Sequence, residues 1–273
     1  MIRSKRRVGL FLWATTIVVL TSPTILAQGP GAGQGGPPPS PKAGAPVDMT
    51  GYWVSVVVED WKYRMLPPTK VQTTALGLFG GGIGVPVNAE GRKVTLAWDP
   101  AKDEAAGEQC RSYGAANIMR MPGRLHITWQ DEQTLKIETD AGKQTRLFHF
   151  DAPKGPGGDW QGVSQASWEA LETSQIPGLG RLSGVVSEKT GSLKVVTDKL
   201  KPGYLLKSGV PYSAKAVLTE YYDVVTEPDG DTYLLITTTV EDPVYLMEPY
   251  LTATHFKKQS DASGWNPTPC TAR

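Results

Sequence analysis

Residues 125–150 alternate between apolar and polar side chains with a period of two, and this restricts the fold more than any other feature of the chain. Leu125, Ile127 and Trp129 alternate with His126 and Thr128. After Asp131-Glu132 the pattern resumes with Leu135 and Ile137 set against Lys136 and Glu138, and after Asp140-Ala141-Gly142 comes a third run, 144–150. Successive side chains of a strand point to opposite faces, so each run offers one apolar face and one polar face. Turns this short make consecutive runs pair as neighbours, which predicts an antiparallel meander.

The same signals predict strands at 52–59, 162–168, 192–199, 216–226, 231–241 and 250–257. Glu227-Pro228-Asp229-Gly230 joins two of them as a hairpin turn. Helical periodicity is scarce; its best case, 88–98, starts with Asn88 as a cap and carries Gly91 early. Residues 80–84 and 177–180 read as loops. Nine strands with so little helix must cover their apolar faces with one another. The expected fold is therefore all-β, an antiparallel barrel of about 8–10 strands, with a two-sheet β-sandwich as the alternative. A meander closes naturally and aromatic side chains suit a barrel interior, which favours the barrel.

Residues 1–27 have the layout of a secretory signal peptide. Arg3, Lys5, Arg6 and Arg7 precede an uncharged apolar run to about Leu20, and Ala27 precedes the expected cut. The run is shorter than the roughly 20 residues a helix needs to cross a bilayer, so no stable membrane insertion is expected after cleavage. Residues 28–47, rich in Gly and Pro, read as a disordered tether, which leaves 48–273 as a single domain. The chain is thus expected to be exported, to the periplasm or the extracellular space.

The balance of 28 Lys+Arg against 27 Asp+Glu hides an asymmetry, because four of the basic residues belong to the signal. The remainder, 24 Lys+Arg against 27 Asp+Glu, is mildly acidic and has no basic run beyond Lys257-Lys258. Nucleic acid is therefore not an expected partner. Cys110 and Cys270 are the only thiols, and behind an export signal an even pair reads as one disulfide. No metal site or cofactor is expected: the cysteines have no nearby His and no Cys-x-x-Cys spacing.

Gly51-Tyr52-Trp53 opens the first expected strand, and Gly158-Asp159-Trp160 repeats the spacing. A Gly-x-Trp at that position resembles the signature of the lipocalins, a calycin-type barrel family whose Trp closes the narrow end. Further blocks run from Glu59-Asp60-Trp61 through Trp160-Gln161-Gly162, Ser167-Trp168-Glu169 and Leu218-Thr219-Glu220-Tyr221 to Val240-Glu241-Asp242-Pro243 and Glu248-Pro249-Tyr250. Together they resemble a group of exported bacterial proteins of uncharacterised function. The resemblance implies export and a lipocalin-like barrel, and it carries no activity.

Functional candidates follow from side-chain chemistry. Trp53, Trp129, His149, Tyr221 and Tyr233 are candidates to line a ligand cavity, within a larger supply that includes Trp168, Tyr222, Tyr245 and Tyr250. His126, His149 and His255 fall in three different strands, and parity opposes their convergence, since His126 lies off the Leu125 face while His149 shares a face with Leu147. Val58-Glu59-Asp60 and Val240-Glu241-Asp242 would bring Glu59, Asp60, Glu241 and Asp242 to one rim if their strands met. No Gly-x-Ser-x-Gly or His-Glu-x-x-His motif is present. The leading expectation is a barrel that binds a small apolar or aromatic ligand in its interior. The alternatives are an enzyme of the same shape using a His or the carboxylates, and a structural or interaction protein of the cell envelope.

Overall fold

The computed structural model describes residues 39–56, 85–152, 155–170 and 191–272. Nine strands close into a barrel. Around the wall they are β1 (Gly51–Ser55), β2 (Arg124–Trp129), β3 (Thr134–Thr139), β4 (Thr145–His149), β5 (Val163–Ala170), β6 (Gly191–Asp198), β9 (Val217–Thr226), β10 (Thr232–Glu241) and β11 (Tyr250–Gln259), which pairs back onto β1. Each expected strand is one of these nine, and closure excludes the sandwich. A short ladder of β7 (Gly203–Tyr204) and β8 (Pro211–Tyr212) lies outside the wall.

One detail departs from an all-antiparallel ring: β4 and β5 run parallel, pairing only Phe148 with Ser164 and His149 with Gln165. Strand direction must alternate all the way round an antiparallel ring, so an odd number of strands forces a parallel contact. A parallel contact needs a crossover of about a dozen residues, and residues 150–162 supply it. The hairpin between β9 and β10 forms at 227–230, where the Gly230 amide donates to Glu227 O (2.9 Å) and Gly230 takes φ +92°, a conformation that favours glycine.

Helix is more abundant than periodicity suggests. Helix α1 (Ala89–Ala97) is capped by Asn88, whose side chain accepts from the Gly91 amide at 3.0 Å. Gly91 sits where a Cβ would lie 2.8 Å from the Tyr245 carbonyl, so close packing explains a glycine in the first turn. Helix α2 (Pro100–Ala105), a 3₁₀ turn (Gln109–Tyr113) and α3 (Ala115–Ile118) are too short to show a period. They surround one end of the barrel. There Leu205, Leu206, Val210 and Tyr212 pack with Ala115, Ala116 and the strand residues Leu218, Val240 and Tyr250. Cys110 and Cys270 are bonded (Cα–Cα 5.1 Å), tying the C-terminal tail to the 3₁₀ turn.

The opposite end carries the 227–230 hairpin and a chain of rings, Trp129 to Phe150 (5.6 Å) and Phe150 to Trp168 (5.4 Å). Residues 39–47, expected as the end of the tether, lie against this end. Trp168 Nε1 donates to the Pro41 carbonyl at 2.9 Å, and Lys42 pairs with Glu132 at 3.2 Å. Composition does not register such contacts. The expected signal peptide and the rest of the tether lie outside the described residues.

Candidate functional site

Side chains fill the described barrel interior. Trp53, Ile127, Ile137, Phe148, Leu193, Val195, Leu234 and Ile236 are all fully buried and belong to one continuous apolar cluster. Within it stands a polar network that the sequence reading did not single out. Arg146 on β4 donates from Nη1 to Glu220 Oε1 (2.9 Å) and from Nη2 to Glu220 Oε2 (2.6 Å), and neither side chain is exposed at all. Nη2 also reaches Thr197 Oγ1 at 3.2 Å, Ser164 Oγ lies 2.8 Å from that same oxygen, and the Tyr222 hydroxyl donates to Glu220 Oε1 at 3.2 Å.

The electrostatics of this network are set by burial. Burial opposes the Arg146 charge, but the adjacent Glu220 carboxylate outweighs it and raises the guanidinium pKa further. Burial, reinforced by Glu220, also pushes the Tyr222 phenol well above its ordinary value, so it stays protonated and serves as a donor. The guanidinium lies 4.8 Å from the centre of the Phe148 ring. Apart from Arg146 Nε, which has no partner, the polar groups here bond one another, so the network orders the core rather than presenting chemistry to a substrate. One sequence signal for it exists: Arg146 alternates in phase with Phe148, and Glu220 in phase with Leu218 and Tyr222.

The ligand candidates do not converge. Trp53 is fully buried inside and donates from Nε1 to the Met49 carbonyl at 2.9 Å. Trp129 belongs to the ring chain at the hairpin end. Tyr221 faces outward under the Lys194 ammonium, 5.6 Å from its ring centre. Tyr233 also faces outward, its hydroxyl donating to Asp231 at 3.4 Å.

All three histidines lie on the outer face of the wall. His126 stacks on Tyr52 at 4.2 Å and pairs with Glu138 at 3.3 Å. His149 is buried beneath the crossover, and His255 sits beside Tyr233 and Leu235. The carboxylate rim is not assembled by the residues described. Glu59 and Asp60 lie outside them, Glu241 is exposed, and Asp242 is buried, accepting from the Ser213 amide (2.6 Å) and hydroxyl (2.7 Å). Among the described residues no three His, Cys, Asp or Glu side chains gather as metal ligands would.

Two hollows lie on the outer wall. The first, of about 300 Å³, is lined by Val56, Val225, Glu227, Tyr233, Leu235 and His255, from the end of β1 and from β9, β10 and β11 near the hairpin. Its floor is apolar because Val225, Tyr233 and Leu235 are outward-facing residues of β9 and β10. Glu227, Tyr233 and His255 bring polar atoms to it. The second hollow, of about 220 Å³, lies where the crossover folds over β4 and is lined in part by Thr145, Leu147, His149, Pro156, Asp159 and Gln161. No protein-family model matches the chain, and no curated protein or solved structure matches it.

Proposed function

We propose that the protein is an exported, lipocalin-like barrel that binds a small apolar or aromatic ligand, and that the ligand occupies the apolar hollow beside the 227–230 hairpin. The observation that carries this reading is the contrast between a side-chain-filled interior and an outer hollow of about 300 Å³ floored by Val225, Tyr233 and Leu235. That volume lies at the lower bound for small-molecule sites, and its single tyrosine ring offers one stacking face. Export is supported by the signal-like residues 1–27 and by the Cys110–Cys270 bond, which persists in an oxidising compartment. The lipocalin-like element is supported by the closed barrel and by Trp53, set in the Gly51-Tyr52-Trp53 opening of β1 and buried at the core.

A ligand of about fifteen non-hydrogen atoms at ~0.4 kcal/mol each gives ~6 kcal/mol, a dissociation constant of tens of micromolar. Titration with 8-anilinonaphthalene-1-sulfonate, followed by fluorescence, tests this. One saturable site is expected, weakened about tenfold or more by Leu235→Asp and by Tyr233→Ala, both on the outer wall. Equal binding by both variants would place the probe elsewhere and remove the reading.

A further inference from the structure

The second hollow carries an inference independent of the first. We propose that it is a binding site for a neutral polyhydroxylated molecule of single-ring size, such as a monosaccharide or a cyclitol. It exists because β4 and β5 pair only from Phe148 onward, so the wall beside Thr145–Leu147 has no strand partner and residues 155–162 fold over it instead. Gly157 and Gly162 hold positive φ angles of +68° and +63°, and a Cβ on either would press on the backbone at Lys199 or Asp198. The covering residues are therefore closely packed against the wall at these two points.

His149 is the central group. It is only 6% exposed and lines the hollow; Nδ1 lies 3.5 Å from the Thr134 hydroxyl, and Nε2 makes no hydrogen bond among the described residues. Gln161 spends both amide hydrogens, on the Tyr113 carbonyl (2.8 Å) and on Gln144 Oε1 (2.9 Å), which leaves its buried Oε1 unpaired. Asp159 uses Oδ1 to accept from the amides of Gln161 (2.9 Å) and Gly162 (2.7 Å), and among the described residues Oδ2 makes no bond. Thr145, also in the lining, is exposed, and its hydroxyl makes no hydrogen bond among the described residues. One lining thus combines an imidazole nitrogen, a hydroxyl and two acceptor oxygens with the apolar surfaces of Leu147 and Pro156. A buried acceptor without a partner is costly, so a ligand hydroxyl that donates to Gln161 Oε1 gains most, while the exposed Asp159 and Thr145 side chains add further polar contacts at the mouth.

The chemistry of the lining selects this class. A volume of about 220 Å³ has room for about seven waters at ~30 Å³ each, which is too small for a drug-sized ligand and suited to one ring. Among the described residues no Lys or Arg lines it and Asp159 does, which opposes phosphate or carboxylate ligands. Among the described residues no Phe, Tyr or Trp lines it, so the broad stacking face that favours a nucleobase is missing. Hydroxyls meeting the polar edge, with ring C–H groups against Leu147 and Pro156, match what remains.

The test uses the full chain, isotope-labelled, titrated by NMR with D-glucose, D-galactose, D-mannose and myo-inositol to about 50 mM, and separately with inorganic phosphate. At least one of the four is expected to shift the His149 ring resonances and the Gly157 and Gly162 amides saturably. His149→Leu is expected to weaken binding about tenfold. Thr145→Val, on an exposed side chain that folding does not need, is expected to weaken it about threefold. No shift with any of the four, unchanged affinity in Thr145→Val, or phosphate binding tighter than every polyol would each overturn the proposal. Because neither variant touches the apolar hollow, 8-anilinonaphthalene-1-sulfonate binding in the same samples reports on the other site separately.

Discussion

Removing Glu220 alone should destabilise the protein more than removing Glu220 and Arg146 together. In Glu220→Leu the guanidinium loses both of its shortest hydrogen bonds, at 2.6 and 2.9 Å, and keeps only hydroxyl contacts at 3.2 Å to Thr197 and Tyr222 and the face of Phe148. Arg146 Nε already lacks a partner, so nothing inside compensates the loss. A charge left unpaired in a site with no exposure costs about 3–5 kcal/mol. Arg146→Met leaves the Glu220 carboxylate with the Tyr222 hydroxyl and costs a similar amount. The double variant Arg146→Met/Glu220→Leu removes both charges and fills the space with apolar atoms. It should lie within about 1 kcal/mol of the parent or above it.

Equilibrium unfolding in urea, followed by tryptophan fluorescence, measures all three, and an uncharged denaturant avoids screening the pair. With an m-value of about 2.5 kcal/mol/M, a loss of 4 kcal/mol moves the midpoint down by about 1.6 M. The double-mutant cycle should then return a coupling of at least ~3 kcal/mol. A single-variant cost below about 1 kcal/mol would refute the reasoning, since it would mean that water reaches the pair or that the arginine turns out of the barrel. A double variant as unstable as the sum of the singles would refute it differently, by showing that the charges are worth more than an apolar replacement.

Three further outcomes follow from local geometry. Replacing Cys110 and Cys270 together with Ala opens a loop spanning 160 residues, for which chain entropy gives a nominal loss near 5 kcal/mol, and thermal unfolding should show a large drop in Tm. Gly142→Ala should cost about 2 kcal/mol or more in urea, because Gly142 has φ +76° and a Cβ there would sit 2.3 Å from the Tyr113 ring. Burial pushes the Asp48 carboxyl up, but bonds from the Thr50 hydroxyl and amide and the charge of Lys258 bring it below its usual value. A lowered folded pKa adds stability above the unfolded pKa and loses it as pH falls through the folded one. The Tm deficit of Asp48→Asn should therefore be full at neutral pH and vanish between about pH 5 and pH 2.

The wall was legible in the sequence because a strand repeats every two residues and its turns have their own chemistry. Leu125, Ile127, Leu135 and Ile137 enter the core in the order their alternation implies, and Pro228 and Gly230 mark the hairpin where it forms. Asn88 announced α1, whereas α2 and α3, with six and four residues, offered no period to detect. The interior network was only half legible. Parity puts Arg146 and Glu220 on inward faces, but β5 and β6 separate their strands around the wall, so the pair meets across the lumen. Only closure of the barrel makes them neighbours, and alternation says nothing about which inward residues face each other across it.

The outer hollows were less legible still, because an outward face is ordinarily taken to be solvated. The reason one such face is covered lies in the strand count. Nine strands cannot alternate in direction around a ring, so one neighbouring pair must be parallel and one link must cross the full height of the wall. The stretch after Phe150, holding Gly155-Pro156-Gly157-Gly158, is longer than the two to five residues a hairpin needs, but so are 169–191 and 200–215, so length alone does not single it out as the crossover. That link folds over the outer face of β4 and buries His149, a residue whose phase with Leu147 would otherwise leave it in water. The same geometry predicts that shortening the crossover removes the hollow. Cutting the crossover to a length that forces β4 and β5 apart should expose His149 to rapid imidazole exchange while leaving the Arg146–Glu220 side of β4 protected. Protection of both faces after such a cut would show that the crossover does not form the site.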